Sequence, residues 1–326
     1  MYIVRRSELL CISGGGLVAF SRVLSSDNKG RRNGGIPSLR ETVMHKIGRF
    51  DPKTLSPHPK YGHHADGLNW SPFVEHADDT VHISYGIIEV IPGGKTETTI
   101  QAHETGMYMI AGEVEVLRDG KAYRLIEGDF MLIPTGIEHA YRNTGDTSAR
   151  WVEMCAPQPK APDAWRDTWF CGAADWRNDA ALINLADRRM QMVGHYDYAQ
   201  HTPPLTISPD LDGFSQRMMI DDVFGAVHFN MFVISFADGG ICNHHDHAFE
   251  EAYYVLGGEV DIVFDGQEYV LKEGDFAWTG VGAQHAFFPR KGSPVHWLEI
   301  QAPQPPVREG VRFHSQWDYM TTVLKF

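Results

Sequence analysis

The chain has 326 residues and a formal net charge of −13, with 29 Lys and Arg against 42 Asp and Glu. It is long enough for two domains with a large core. The shortage of basic residues argues against nucleic acid or an anionic membrane as a partner. The four cysteines form no C-x-x-C pair and are too few for a disulfide framework, so they favour reduced thiols in a cytoplasmic protein.

The first 40 residues predict a flexible leader. Apolar residues at 9–12 and 17–20 follow two arginines and loosely imitate a signal peptide. Three glycines at 14–16 break this apolar part, which is too short to span a bilayer. The polar, glycine-containing stretch 25–38 follows. We therefore expect a leader rather than an export signal, and no transmembrane segment.

The rest of the chain repeats itself at an offset of 146 residues. Gly-Glu-Val at 112–114 recurs at 258–260, and Glu-Gly-Asp-Phe at 127–130 recurs at 273–276. The same register extends upstream without a gap, so that Gly48 corresponds to Gly194 and the copies align throughout. A register held over this length indicates two copies of one domain. We assign four regions: the leader (1–40), an N-terminal domain (41–160), a linker (161–186) and a C-terminal domain (187–326).

Each copy is predicted to be all-β. Segments such as 255–264 and 296–300 are rich in β-branched and aromatic residues, and Asp-Gly turns at 119–120 and 265–266 separate apolar runs. Short strands at even spacing indicate a sandwich or a barrel. The linker mixes tryptophans with polar residues, which favours one or two short helices.

Three histidines and one glutamate in the C-terminal copy predict a metal site. His245 and His247 alternate along a strand and therefore share a face. Glu251 follows closely, and His285 returns after the next hairpin. Neutral imidazole and carboxylate are ligands for divalent transition metals. Cys242 lies close by, but alternation places it off this face, so we do not count it as a ligand.

The motifs around these residues resemble those of the cupin superfamily. The resemblance implies a jelly-roll β-barrel in each copy and a mononuclear metal site, with Gly280 and Pro289 standing where the family has Pro and Asn. The chain therefore resembles a bicupin. The first motif is carried by Gly239, His245, His247, Glu251 and Gly258, the second by Gly274, Gly282 and His285, and the second motif of the N-terminal copy by Gly128, Pro134, Gly136, His139 and Asn143.

The N-terminal copy lacks most of the ligand set. Thr99, Gln101 and Thr105 stand at the positions of the first three ligands, and His139 corresponds to the fourth. One imidazole among these groups is a poor site for a transition metal. We predict one divalent metal per chain, with Fe²⁺ or Mn²⁺ favoured by the resemblance and Zn²⁺ or Ni²⁺ as alternatives. The N-terminal barrel is then structural, or forms a second pocket lined by Thr99, Gln101 and His139.

Three further residues are candidates for the site. Tyr253 shares parity with Glu251 and replaces Met107 of the other copy, so its phenol could orient substrate or move a proton, or be a buried aromatic. Trp278 and Phe287 differ from their counterparts and are candidates for a substrate-binding cavity wall, with ordinary core filling as the alternative.

These features favour a metal-dependent enzyme acting on a small oxygenated organic molecule. The resemblance makes a dioxygenase the first choice. The alternatives are a non-redox hydrolase, isomerase, lyase or decarboxylase, and a small-molecule or sugar-binding cupin without turnover. Cupins often pair through β-edges, so the resemblance also implies a homodimer.

Overall fold

The computed structural model describes residues 44–161, 166–176, 180–187, 190–306 and 310–316. The expected leader and the question of an export signal lie outside them. The described residues contain strands and short 3-10 helices but no α-helix. The expected linker helices are therefore wrong for the described part of the linker. That part contains the short strands β12 (Thr168–Phe170) and β13 (Ala181–Leu182), because each finds an exposed strand edge to pair with.

Two curled sheets account for the described strands, which confirms the tandem all-β architecture. The N-terminal sheet has 13 described strands in the order β13-β8-β7-β10-β4-β11-β6-β9-β14, with β2, β3, β5 and β12 attached beside this path. Its further strands are β2 (Ser56–Pro57), β3 (Ala65–Val74), β4 (Ser84–Thr96), β5 (Thr99–Gln101), β6 (Glu104–Ala111), β7 (Glu113–Arg118), β8 (Lys121–Ile126), β9 (Asp129–Ile133), β10 (His139–Arg142), β11 (Ala149–Ala156) and β14 (Val193–His195).

The C-terminal sheet has ten described strands in the order β1-β20-β17-β22-β16-β21-β18-β19, with β15 and β23 beside β16. They are β1 (His45–Arg49), β15 (Leu211–Ile220), β16 (Asn230–Asp246), β17 (Glu250–Gly257), β18 (Glu259–Phe264), β19 (Gln267–Lys272), β20 (Asp275–Thr279), β21 (His285–Pro289), β22 (Val295–Ala302) and β23 (Arg312–Phe313). The described 3-10 helices are Pro52–Thr54, Gly62–His64, His76–Asp78, Tyr198–Gln200 and His314–Gln316.

On strands that lie between the barrels, such as β17, side chains alternate between the inside of the barrel and the contact between barrels. Among the described residues, one core cluster fills each barrel and a third joins the two. On β17, Tyr253 packs inside the C-terminal barrel, whereas its neighbours Ala252 and Tyr254 belong to the joining cluster. In that cluster Phe73 stacks on Phe276 with ring centroids 4.0 Å apart. The strand period of two therefore decides which residues can reach a site inside the barrel.

The barrels exchange edge strands. Strand β1 lies in the range assigned by sequence to the N-terminal domain, yet it pairs with β20 of the C-terminal sheet, and β14 pairs with β9 of the N-terminal sheet. The two contacts are equivalent under the repeat. A Cβ added at Gly48 would lie 2.3 Å from Phe276, and one at Gly194 would lie 2.2 Å from Phe130. A glycine at each position lets the strand lie flat on an aromatic ring.

Two buried glutamates also fasten the barrels together. Glu250 accepts hydrogen bonds from the Thr80 hydroxyl and from the backbone N–H groups of residues 81–83. Its counterpart, Glu104, accepts from the N–H groups of Val227 and His228. The glutamate occurs in both copies because each barrel makes the equivalent contact with the other.

No helix among the described residues is long and apolar enough to cross a membrane.

Candidate metal centre

Three strands bring the four predicted ligands together inside the C-terminal barrel. His245 lies near the end of β16, directly opposite His285 at the start of β21, and Glu251 lies at the start of β17. Ligand atoms of His245, His247 and His285 all lie within 4.8 Å of one another. All four side chains are at least 95% buried. The cluster is therefore compact enough for one ion.

Each imidazole is oriented by a hydrogen bond from Nδ1 to a backbone carbonyl, which leaves Nε2 for a metal. Burial is the first cause that lowers the pKa values of His245 and His247, and His285 lowers both further, against the opposing effect of Glu251. Nε2 of His285 is buried and makes no aligned hydrogen bond among the described residues, and its nearest polar neighbour is a carboxylate oxygen of Glu251 at 3.0 Å. The donor set thus fits a divalent cation. The carbonyls are those of Asn243 (2.6 Å from His245), Gly310 (2.6 Å from His247) and Ala283 (2.9 Å from His285).

Glu251 completes the cluster as a carboxylate. Its two oxygens lie 3.2 Å from Nε2 of His247 and 3.0 Å from Nε2 of His285. Burial alone would raise the pKa of Glu251, but these two imidazoles hold it below its usual range. Tyr253 donates to one oxygen at 2.5 Å, and the Gln301 amide donates to the other at 2.8 Å. The carboxylate is thus ionised and fixed in direction.

Sequence reasoning missed Gln301 and Thr279, although the repeat carried a signal for both. Gln301 replaces Cys155 of the N-terminal copy, and Thr279 replaces Ile133. The Thr279 hydroxyl lies 3.4 Å from that of Tyr253. Each change places a polar group beside Glu251 in the copy that carries the metal ligands. Searching the repeat for such paired changes would have identified them.

A cavity of about 120 Å³ lies against the four ligands. Phe287, the predicted wall residue, lines it, together with Phe232 and Trp297. Trp278 does not, which corrects the expectation that it forms a cavity wall. It neighbours Thr279 on β20 and therefore faces the opposite way, into the cluster that joins the barrels.

Cys242 also departs from the expectation, which placed it off the ligand face. Its Sγ lies 3.6 Å from Nδ1 of His245, and the side chain lines the cavity. The cause is an irregularity in the pairing of β16 with β21 between Cys242 and His245, which breaks simple alternation. Burial, followed by Glu299 and Glu251, raises the pKa of the Cys242 thiol. The sulfur is therefore a neutral wall atom.

The polar side chains at the equivalent positions of the N-terminal barrel form hydrogen bonds with one another. Nδ1 of His139 donates to the Ile137 carbonyl at 3.0 Å, and its Nε2 lies 3.1 Å from the Thr99 hydroxyl. The Thr105 hydroxyl donates to the Gln101 side chain at 3.1 Å. Burial lowers the pKa of His139 to about 4, so the ring is neutral. The hydroxyl of Thr99 thus takes up Nε2 of His139, the nitrogen that would otherwise bind a metal.

A profile of the cupin domain matches the chain twice, over residues 86–155 and 232–301. These ranges are offset by the same 146 residues as the repeat, and they span the strands from β4 to β11 and from β16 to β22. The chain is a two-domain cupin protein. The second matched range of this bicupin contains all four predicted ligands.

Known proteins that are similar to this bicupin include the following three. Quercetin 2,3-dioxygenase from Bacillus subtilis is 22% identical over 240 residues, which cover 61% of this chain and 68% of that protein. The crystal structure of salicylate 1,2-dioxygenase from Pseudaminobacter salicylatoxidans superposes with a TM-score of 0.55 at 13% identity, covering 68% of this chain and 71% of that chain. A glyoxylate-induced protein from Pseudomonas aeruginosa gives 0.60 at 16% identity, covering 83% and 94%. At these identities the structural likeness shows the fold alone.

Proposed function

We propose that the C-terminal barrel binds one divalent transition metal, Fe²⁺ or Mn²⁺ in preference to Zn²⁺ or Ni²⁺, and that the bicupin is a dioxygenase of a small oxygenated organic substrate. The observation that carries this proposal is the convergence of three imidazoles and Glu251, with every Nδ1 tied to a carbonyl. The names of the two dioxygenases to which the chain is similar support the choice of reaction.

His245, His247, Glu251 and His285 would hold the metal. A bound ion of this kind supplies Lewis acidity and open coordination positions for dioxygen and for the oxygens of a substrate. Four protein ligands leave such positions on a metal that prefers five or six. The chain's own contribution is to fix the ligands and to shape the space beside them.

Tyr253 is best explained as a positioning residue. Its hydroxyl donates to Glu251 at 2.5 Å, and burial, followed by Glu251, raises its pKa well above the usual value. The ring is not part of the cavity lining. A phenol that keeps its proton and donates it in a hydrogen bond to Glu251 orients the carboxylate. This geometry favours a positioning role over proton transfer to the substrate.

The cavity walls would bind the substrate's apolar body and exclude water. Phe287 and Trp297 stack with ring centroids 5.0 Å apart, and Phe232 adds a further aromatic surface. The wall also has polar groups, Gln216, Glu299 and Gln301, of which Glu299 accepts a hydrogen bond from Trp297 at 2.9 Å. Apolar walls with a few polar groups fit a small aromatic or enolic molecule with adjacent oxygens.

Oxygen consumption tests this proposal. The protein loaded with Fe²⁺ or Mn²⁺ is assayed with and without air against catechols, diketones and hydroxy acids. We expect one member of the panel to consume oxygen with the wild type and not with His245→Ala. Turnover that proceeds equally without air would contradict the dioxygenase and identify a non-redox enzyme. Saturable binding with no turnover of any member would contradict catalysis and identify a binding protein.

A further inference from the structure

The N-terminal barrel contains a cavity of about 220 Å³ at the place equivalent to the metal cavity. Gln101, Glu153 and Cys155 line it, and each lies 146 residues before a residue that lines the C-terminal cavity. The other two residues of the predicted second pocket, Thr99 and His139, are bonded to each other and do not line it. The cavity is thus displaced from the ligand positions toward Gln101.

His103 presents an unpartnered polar atom in this cavity. Its side chain is 4% exposed, and Nδ1 is buried with no hydrogen-bond partner among the described residues. Leaving a buried nitrogen unpaired is unfavourable, because it loses its hydrogen bonds to water without replacement. The counterpart in the other barrel is Phe249, so the fold does not require an imidazole at this position. His103 therefore points to a small molecule as its partner.

Several hydrogen-bond donors line the cavity wall, together with the carboxyl groups of Glu75 and Glu153, which already accept hydrogen bonds from tryptophan indoles. The Lys60 ammonium makes two hydrogen bonds to Asp167, at 3.0 and 2.9 Å, and has a third N–H. Nδ1 of His58 accepts from the Lys60 backbone N–H at 3.2 Å, so the proton of the neutral ring lies on Nε2. The Gln101 oxygen already accepts from Thr105, which leaves its NH₂ group as the donor end. Such a wall favours a ligand that accepts hydrogen bonds.

Positive charge surrounds the mouth of the cavity. A neighbouring surface groove of about 460 Å³ shares Lys60 and Lys160 with the cavity and adds Arg166. Among the described residues that line this groove, Asp167 is the one carboxylate. On a chain with a net charge of −13, a local group of three cations attracts anions.

Aromatic side chains form the apolar part of the wall. His58 stacks on Trp70 with ring centroids 5.7 Å apart and contacts Tyr61 edge-on at 4.9 Å. We propose that this cavity binds a small organic carboxylate, with its body against Trp70 and Tyr61 and its carboxylate accepting hydrogen bonds from His103 and Lys60. The site does not depend on the metal or on the proposed reaction.

Calorimetric titration of the metal-free, full-length protein with benzoate tests this site. We expect saturable binding that is at least about tenfold weaker for benzyl alcohol, because the neutral analogue lacks the charge-assisted hydrogen bonds. His103→Phe installs the residue of the other barrel and should weaken benzoate binding by about tenfold or more. His285→Ala, which alters the metal centre, should leave it unchanged.

Absence of saturable benzoate binding, or equal affinity for benzyl alcohol, would overturn the proposal. So would loss of binding in His285→Ala with retention in His103→Phe, since binding would then belong to the C-terminal barrel. Unfolding curves establish that each variant is folded. If His103→Phe does not fold, Gln101→Leu replaces it, with the same expected weakening and with unchanged affinity as the contradicting result.

Discussion

At the scale of single residues, the same scaffold position holds different chemistry in the two barrels. Glu251 and Gln301 form a hydrogen bond of 2.8 Å where Thr105 and Cys155 lie 3.6 Å apart. Nε2 of His285 faces the Glu251 carboxylate at 3.0 Å, whereas Nε2 of His139 faces the Thr99 hydroxyl at 3.1 Å. The barrel folds with either set, so the ionised, well-oriented set in the C-terminal barrel is best explained by metal binding.

Tyr253→Phe tests how far the metal site depends on the orientation of Glu251. Removing the hydroxyl leaves one carboxylate oxygen without its donor, and we expect the affinity for Mn²⁺ to fall by about 10–100-fold. A competition titration against a chelator measures it. Tyr254→Phe, one residue away in the cluster between barrels, is the matched control. Equal affinities for the two variants would contradict the positioning role.

Glu153→Gln tests the consequence of burying a carboxyl group in the N-terminal barrel. Burial raises the pKa of Glu153 to about 7, against the hydrogen bond from Trp151, which lowers it. The folded state therefore holds a proton that the unfolded state releases above pH 4.5. Relative to the variant, wild-type stability should fall between pH 4.5 and 7 by up to about 3 kcal/mol.

Urea unfolding at several pH values measures this difference in stability. Glu127→Gln, at an exposed position, controls for the loss of one carboxylate. Parallel stability curves for the wild type and Glu153→Gln would show that burial of this group does not couple folding to pH.

At the scale of elements, the exchanged strands β1 and β14 determine how the barrels are joined. Each lies across an aromatic ring of the sheet it completes, Phe276 or Phe130, at a glycine. This exchange was not predictable from local patterns, because a short strand's composition does not say which edge it pairs with. The correspondence of Gly48 with Gly194 was visible in the repeat, but its meaning depends on a contact between distant parts of the chain.

Gly48→Ala and Gly194→Ala test this packing. The new methyl group would lie 2.3 or 2.2 Å from a ring carbon, so the ring or the strand must move. We expect each variant to be destabilised by about 1–3 kcal/mol, as for other overpacked contacts. Denaturant unfolding measures the change. A loss of stability in only one of the two variants would contradict the equivalence of the two strands.

The interdomain glutamates offer a second comparison between copies. Glu250 accepts from four donors on 80–83, whereas Glu104 accepts from the N–H groups of Val227 and His228. Glu250→Ala should therefore cost about 3 kcal/mol or more of stability, and Glu104→Ala less, because fewer donors lose their partner. Thermal unfolding of the two variants decides the order. The reverse order would contradict this interpretation of the contacts.

At the scale of the whole molecule, the repeat made much of the structure predictable from sequence. It revealed two all-β domains and a quartet of residues that the fold brings together. Side-chain directions that follow from strand alternation were also predictable. Trp278 neighbours Thr279, which faces into the barrel, and Trp278 therefore faces the contact between the barrels. The position of Cys242 was not predictable, since a break in strand pairing returns it to the ligand face. The hydrogen bond from His247 to the Gly310 carbonyl was not predictable either, because 63 residues separate the two.

We propose that the molecule binds metal in one of its two barrels. Elemental analysis of the full-length protein, after loading with Mn²⁺ and removal of free ion, measures the number of bound ions per chain. We predict one equivalent per chain in the wild type and in His139→Ala, and none in His245→Ala. Two equivalents in the wild type, metal retained at full occupancy in His245→Ala, or metal lost in His139→Ala would contradict the claim.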